Sequence, residues 1–101
     1  MSELDKLQKY LEETGYVYSR SDEVNNFAEV IGVEKICKID RHQIIVYDKN
    51  MNRQWDAICH YGSYGYDRGL LEVSGNITRE DVEGYLTAQD IINRLKSAAR
   101  K

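Results

Sequence analysis

The chain has 101 residues, 42% of them hydrophobic, and a formal net charge of −3, which together predict one globular domain over residues 1–101. Lys and Arg number 14 against 17 Asp and Glu, so the chain lacks the basic field that neutralises phosphates, and nucleic acid is an unfavourable partner. No stretch approaches the roughly 20 apolar residues of a membrane span, which argues against a membrane partner and favours the cytoplasm of a bacterium or an infected host cell.

The first predicted element is an amphipathic helix over residues 3–14. Leu4, Leu7 and Leu11 recur at i, i+3 and i+7 and form one apolar stripe. Ser2 is a favourable N-cap, because its hydroxyl can accept a hydrogen bond from the first turn.

A second, weaker helix is predicted over residues 22–31, after a short extended piece at 16–18. Its apolar residues are three or four positions apart, which is the helical spacing. They are Val24, Phe27, Ala28 and Ile31.

Strands follow from residue 33 onward, where β-branched residues and period-two alternation begin. Residues 43–47 predict a strand and residues 53–60 the next, with a turn at 49–52, so a hairpin is the firmest tertiary expectation. Residues 36–40 could add an edge segment, and residues 70–73 predict a third strand. Trp55 is expected in the core.

The C-terminal region predicts one short and one long helix. Residues 78–81 resemble a capping box with Asp in place of Glu, which would open a single helical turn that Gly84 interrupts. Thr87 is predicted to cap the last helix, residues 88–98, with Asp90 as its reciprocal partner.

The predicted fold class is α+β: an antiparallel sheet of three to four strands, with the N- and C-terminal helices packed on one face. If the open face carries Ile45, Tyr47 or Ile58, the resulting apolar patch would favour a homodimer.

The loop at residues 61–69 is the best candidate binding site. Glycines there permit positive φ, and tyrosines supply large, stiff contact area. An alternative interpretation, of equal weight, is a tight connection whose tyrosines pack on the sheet. The candidate binding residues are Tyr61, Ser63, Tyr64, Tyr66, Asp67 and Arg68.

No catalytic set is predicted. Cys59 and His60 are neighbours in a strand, so their side chains point to opposite faces. Ser63 beside His60 lacks a third orienting group. The two cysteines, Cys37 and Cys59, are expected to be reduced thiols, although both lie in strand-like segments and a disulfide between them stays open.

The carboxylates near the last helix do not clearly predict a metal site. Glu80, Asp81 and Glu83 precede Asp90, but a solvated helix start explains them better than a metal site. Asp56 is expected to face solvent or to pair with a neighbouring arginine. No metal or cofactor is therefore predicted.

Three strings, QIIVYD, WDAICHYGSYGYDRGLLEVSG and VEGYLTAQDII, resemble a family of small proteins encoded by phages, prophages and other mobile elements of Gram-positive bacteria. The similarity covers residues 43–95. No catalytic or cofactor residue is established for that family, so none carries over. The resemblance implies a bacterial setting and an accessory role, such as action against a host defence or regulatory protein.

Two functions from different classes remain. The first is binding of a host or phage protein through the 61–69 loop and an exposed strand edge. The second is binding of a small molecule or nucleotide, with Tyr64 and Tyr66 stacking on a base and Arg68 meeting a phosphate. An enzyme is a weaker third interpretation.

Overall fold

The computed structural model describes residues 1–26, 38–78 and 81–99. They form two helices and one antiparallel sheet, in which each strand pairs with the next along the chain. The predicted α+β class is confirmed, but the described sheet has five strands rather than three to four. The elements in chain order are α1 (Glu3–Glu13), β1 (Val17–Asn26), β2 (Lys38–Tyr47), β3 (Arg53–Ile58), a 3₁₀ turn (Tyr66–Arg68), β4 (Leu71–Gly75), β5 (Val82–Leu86) and α2 (Ala88–Ala99).

Both helices contribute to one core on one face of the sheet. Cross-strand pairing aligns Ile44 with Ala57 and Ala57 with Val73, so the three side chains share a face. The apolar stripes of α1 and α2 cover that face, and Trp55 lies in the core as expected, 3% exposed. The helical core residues are Leu4, Leu7, Leu11, Ala88, Ile91 and Leu95.

Helix α1 begins as the sequence predicts. The Ser2 hydroxyl accepts from the Asp5 amide at 3.1 Å, and the Asp5 carboxylate accepts from the Ser2 amide at 3.1 Å. This reciprocal capping box satisfies two backbone donors that the helix cannot. The helix ends at Glu13, one residue earlier than predicted, with Thr14 as its C-cap.

The predicted helix at 22–31 is wrong where the structure describes it. Residues 22–26 belong to β1, which pairs with β2 from Val17 opposite Tyr47 to Asn26 opposite Lys38. This long cross-strand ladder outweighs the local three- and four-residue spacing, which is a weak preference by comparison. Residues 27–31 lie outside the described part of the chain. The edge segment predicted at 36–40 is the start of β2 over residues 38–40, and residues 36–37 are not described.

The helical turn predicted after residue 78 is also wrong. The Thr78 hydroxyl donates backwards to the Gly75 carbonyl at 2.8 Å, and Val82–Leu86 is strand β5, paired with β4. Residues 79–80 are outside the described ranges. Gly84 is therefore a strand residue and not a helix breaker.

Helix α2 is confirmed together with its cap. The Asp90 amide donates to the Thr87 hydroxyl at 3.1 Å, and the Thr87 amide donates to the Asp90 carboxylate at 2.9 Å. Neither described helix is long and apolar enough to cross a membrane.

The sheet face opposite the helices is not a bare apolar patch. Ile45, Tyr47 and Ile58 are half-buried there. Asp56 is only 7% exposed, and it pairs with Arg53 at 2.8 Å. Pairing with a neighbouring arginine is one of the two alternatives predicted for Asp56. The homodimer stays a prediction.

Candidate functional site

The loop between β3 and β4 is held by hydrogen bonds within the loop. The Ser63 hydroxyl donates to the His60 carbonyl at 2.8 Å and accepts from the His60 amide at 3.1 Å, which closes a tight turn. Gly65 and Gly69 flank the 3₁₀ turn with φ of 96° and 69°, a region that glycine adopts without steric cost. Ser63 therefore shapes the loop, since its hydroxyl is engaged in two hydrogen bonds with the His60 backbone.

Strands β4 and β5 fix the other side of the loop. The Tyr64 amide donates to the Glu72 carboxylate at 3.1 Å, and the Tyr64 carbonyl accepts from the Tyr85 amide at 3.4 Å. Gly84 is so close that a Cβ added there would lie 2.3 Å from the Tyr64 Cβ. Tyr85 has a positive φ of 58°, which is uncommon for a residue with a side chain.

Three tyrosines project from this scaffold into solvent. Tyr61 is 55% exposed, Tyr64 62% and Tyr85 57%. The rings of Tyr64 and Tyr85 are side by side, with centroids 6.4 Å apart and an angle of 32° between their planes. We refer to these three residues as the tyrosine surface. Tyr85 is not among the predicted site residues, because the local sequence pattern does not indicate strand β5.

Tyr66 has a different role from its neighbours. It is half-buried, its hydroxyl donates to the Asp40 carboxylate at 3.1 Å, and its ring meets Tyr61 edge-on at 5.8 Å. Burial, and then the hydrogen bond to Asp40, raise the pKa of the Tyr66 phenol. Tyr66 and Ser63 thus support the structural interpretation of the loop. Exposed Tyr61, Tyr64, Asp67 and Arg68 fit the recognition interpretation.

A small cleft of about 370 Å³ opens within the loop. Tyr64, Tyr66, Arg68 and Tyr85 are among its lining residues. It therefore brings together the three residues that the nucleotide hypothesis requires, although Tyr66 already donates its hydroxyl proton to Asp40.

In comparisons with known proteins, no family model, no curated protein and no solved structure matches this chain. The resemblance to phage-encoded proteins therefore stays a prediction, and the function has to be inferred from the geometry of the site.

Cys59 and His60 have separate partners. Cys59 packs against the core on the helix side, and burial, with Asp40 nearby, raises the pKa of its thiol. The His60 Nδ1 accepts from the His42 amide at 3.0 Å, and burial lowers the pKa of its imidazole. Cys59 carries a free thiol, and Cys37 lies outside the described residues.

The carboxylates before α2 also have structural partners. Glu83 forms an ion pair with Arg94 of α2, and Asp90 caps that helix. Asp81 is exposed, and Glu80 is not described. Within the described ranges, no group of three or more His, Cys, Asp or Glu is arranged to hold a metal ion.

A second, larger cavity of about 800 Å³ lies on the helix side of the sheet, between the start of α1, strands β1 and β2, and the 3₁₀ turn. Four carboxylates line it against two guanidinium groups, and we refer to it as the acidic cavity. These residues are Glu3, Asp22, Asp40 and Asp67, with Arg20 and Arg68.

Arg20 connects several polar residues beside this cavity through hydrogen bonds. Its guanidinium donates to Asp5 at 2.7 Å, to Gln8 at 2.8 Å and to Asp22 at 3.2 Å. Asp22 in turn contacts the His42 Nδ1 at 2.8 Å. The sequence alone does not indicate this network, because its members are far apart in the chain and strand pairing brings them together.

Proposed function

We propose that this protein is a small accessory protein that acts by binding another protein, and that the tyrosine surface makes the central contact. The observation that carries the proposal is the exposure of Tyr61, Tyr64 and Tyr85 on a backbone that is already fixed. Tyrosine is enriched at the energetic centres of interfaces because it combines large apolar area with a polar tip.

Rigidity of the loop supports the proposal. Binding requires that interface side chains and loops become ordered, which weakens association. The contact of Gly84 with Tyr64 and the Tyr85–Tyr64 backbone hydrogen bond leave the loop little freedom to lose. A loop that merely connects β3 to β4 has no need to expose Tyr64 beside the equally exposed Tyr85 ring of β5.

The strand beside the tyrosine surface offers a second element of contact. Strand β5 is the terminal strand of the described sheet, and Val82 on it is 41% exposed. A terminal strand can receive an extended segment of a partner through backbone hydrogen bonds. Tyr85 would then lie at the border of the added segment.

The resemblance to phage-encoded proteins suggests the class of target: a bacterial defence or regulatory protein that binding would inhibit. Asp67 and Arg68, both exposed beside the tyrosines, supply one charge of each sign at the rim. Rim charges of this kind influence orientation and association rate more than affinity.

Site-specific photo-crosslinking tests the proposal. A photoreactive phenylalanine analogue is placed at Tyr64, and the full chain is irradiated in lysate of a Gram-positive bacterium. The matched control carries the same analogue at Met51, which is equally exposed at 62% but lies in the β2–β3 turn. A protein adduct specific to position 64 supports the proposal. Equal adducts from both positions, or none from position 64, contradict it.

Binding of a nucleotide or another small molecule is the second candidate function. It is favoured by the cleft of about 370 Å³ that Tyr64, Tyr66 and Arg68 help to line. Thermal-shift screening with nucleotides separates the two functions. A rise in melting temperature that Arg68→Ala abolishes would support the nucleotide function, and a flat screen would reject it.

A further inference from the structure

The imidazole of His60 connects the 61–69 loop to strand β2. Its Nδ1 accepts from the His42 amide at 3.0 Å, while the Cys59 amide donates to the His42 carbonyl at 2.8 Å. In a regular antiparallel pair, the His42 amide would return this bond to the Cys59 carbonyl. The imidazole therefore takes the place of a backbone acceptor just beyond the end of β3.

The backbone of His60 closes the turn that begins the loop. Its carbonyl accepts from the amide and from the hydroxyl of Ser63, both at 2.8 Å, and its amide donates to the same hydroxyl at 3.1 Å. The next residue, Tyr61, donates its amide to the Asp40 carbonyl of β2 at 2.7 Å. His60 thus joins the turn, through its backbone, to strand β2, through its ring.

The hydrogen bond to the ring requires a neutral imidazole. An imidazole nitrogen accepts only while it carries no proton, and in the histidinium ion both ring nitrogens are donors. The His60 Nδ1 must therefore be unprotonated, with the proton of the neutral ring on Nε2. Protonation of Nδ1 would set two N–H donors against each other and leave the His42 amide without an acceptor, which destabilises the contact.

The surroundings of the ring favour its neutral form. The charged and titratable groups that act on it are Arg41 and His42 of β2, Asp56 of β3 and Glu72 of β4. Both carboxylates are engaged elsewhere: Asp56 pairs with Arg53 at 2.8 Å, and Glu72 accepts from the Tyr64 amide at 3.1 Å. In the described part of the chain, neither forms an ion pair with His60. Burial is the largest influence, and it lowers the pKa of the His60 imidazole.

We infer that protonation of His60 releases the start of the 61–69 loop from strand β2, so that the loop is fixed at neutral pH and freed at mildly acidic pH. The pKa of the ring is lower in the folded protein than the value of about 6.5 in an unfolded chain. The contribution of His60 to stability is therefore complete above about pH 6.5 and is lost as pH falls through the folded pKa. Tyr61 of the tyrosine surface directly follows His60, so acidification acts on that surface whatever it binds.

Nuclear magnetic resonance of the full-length protein tests the inference without a partner. Nitrogen shifts of the labelled His60 ring report its tautomer and its protonation, and hydrogen exchange reports the protection of single amides. At about pH 7.5 we expect an unprotonated Nδ1 and a proton on Nε2. As pH falls to about 5, the ring should become protonated, and protection of the His42 amide, corrected for its intrinsic exchange rate, should fall about fivefold or more with the same midpoint. Protection of the Tyr61 amide should fall with it. The Ile91 amide, which donates to the Thr87 carbonyl at the start of α2, should stay protected.

Variants assign the effect to the His60 ring. His60→Asn replaces Nδ1 with an amide oxygen that accepts but does not titrate, so the His42 amide should stay protected over the whole pH range. His60→Ala removes the acceptor, and protection of that amide should be low throughout. His42→Gln is the control, because it removes the other imidazole but keeps the backbone amide that His60 accepts from, and it should retain the pH dependence of the parent.

The inference is overturned if His60 carries its proton on Nδ1 at about pH 7.5, or if the ring stays neutral down to about pH 5. Protonation of His60 without loss of protection at the His42 amide overturns it too, as does a pH dependence that His42→Gln abolishes. A parallel loss of protection at the Ile91 amide would indicate global unfolding and would also contradict a local release. The tautomer and the titration are measured on the parent protein, so they decide the matter even if a variant fails to fold.

Discussion

Replacing Gly84 with alanine tests whether strand β5 holds the tyrosine surface rigidly. An added Cβ would lie 2.3 Å from the Tyr64 Cβ, whereas ordinary van der Waals contact is 3.4–4 Å. The loop would have to move away from β5 by more than 1 Å to accept it, and the Tyr85–Tyr64 backbone hydrogen bond, already 3.4 Å long, would break.

Introducing one carbon into a closely packed contact destabilises a protein by about 1–3 kcal/mol. In a domain of this size, each kcal/mol lowers the melting temperature by roughly 4–8 °C. Urea denaturation followed by circular dichroism gives the change in the free energy of unfolding. A thermal melt gives the change in melting temperature.

A double-mutant cycle tests whether contact with the Tyr64 Cβ causes the destabilisation by Gly84→Ala. Tyr64→Gly removes the Cβ that the new methyl group would meet, so Gly84→Ala should be less destabilising in that background by about 1 kcal/mol or more. Gly62→Ala is the control, because nothing lies within 4 Å of its added Cβ and only its positive φ opposes the change. The contact is refuted if Gly84→Ala is as stable as the parent, or if its penalty is unchanged in the Tyr64→Gly background.

Two further predictions concern the helix caps. Thr87→Ala should lower the free energy of unfolding by about 0.5–2 kcal/mol in urea denaturation, since it removes the N-cap acceptor of α2; an unchanged midpoint would contradict that role. The Arg20 hydrogen bond, and then those from Ser2, lower the pKa of the Asp5 carboxyl from 3.8 to about 2. The ionised Asp5 carboxylate should therefore contribute fully to the stability of the fold above about pH 4, and this contribution should be lost as pH falls towards 2. NMR titration of the Asp5 carboxyl should give this pKa, and Arg20→Ala should raise it; a pKa that stays near 2 in the variant would refute the assignment.

The elements that the sequence predicts well are those whose determinants are local. Leu4, Leu7 and Leu11 define the face of α1 by spacing alone, and Thr87 with Asp90 marks the start of α2 within four residues. The β2–β3 hairpin is similarly local, because a short turn joins its two strands.

The two wrong predictions have one physical cause. The apolar residues of 22–31 have helical spacing, but Asp22 bonds to His42 on the neighbouring strand, and this partner is distant in sequence. Strand β5 likewise depends on pairing with β4 and on the close approach of Gly84 to Tyr64. Local propensity is a weak preference that such tertiary contacts override.

The candidate site is therefore predictable in part. The composition of the 61–69 loop draws attention to Tyr61 and Tyr64, and both are exposed. The Tyr66 hydroxyl donates to Asp40, a residue 26 positions away, and Tyr85 enters the surface only because β5 is a strand. The acidic cavity is not predictable, since α1, β1, β2 and the 3₁₀ turn must meet before it exists.

The affinity of the crosslinked partner, purified and measured by calorimetry, tests the central claim most directly. If the tyrosine surface is the centre of the interface, Tyr64→Ala/Tyr85→Ala should weaken binding about 30-fold or more, corresponding to about 2 kcal/mol. Met51→Ala should change it by no more than about twofold, as exposed positions outside an interface do. Equal affinity of the double variant and the parent would contradict the claim.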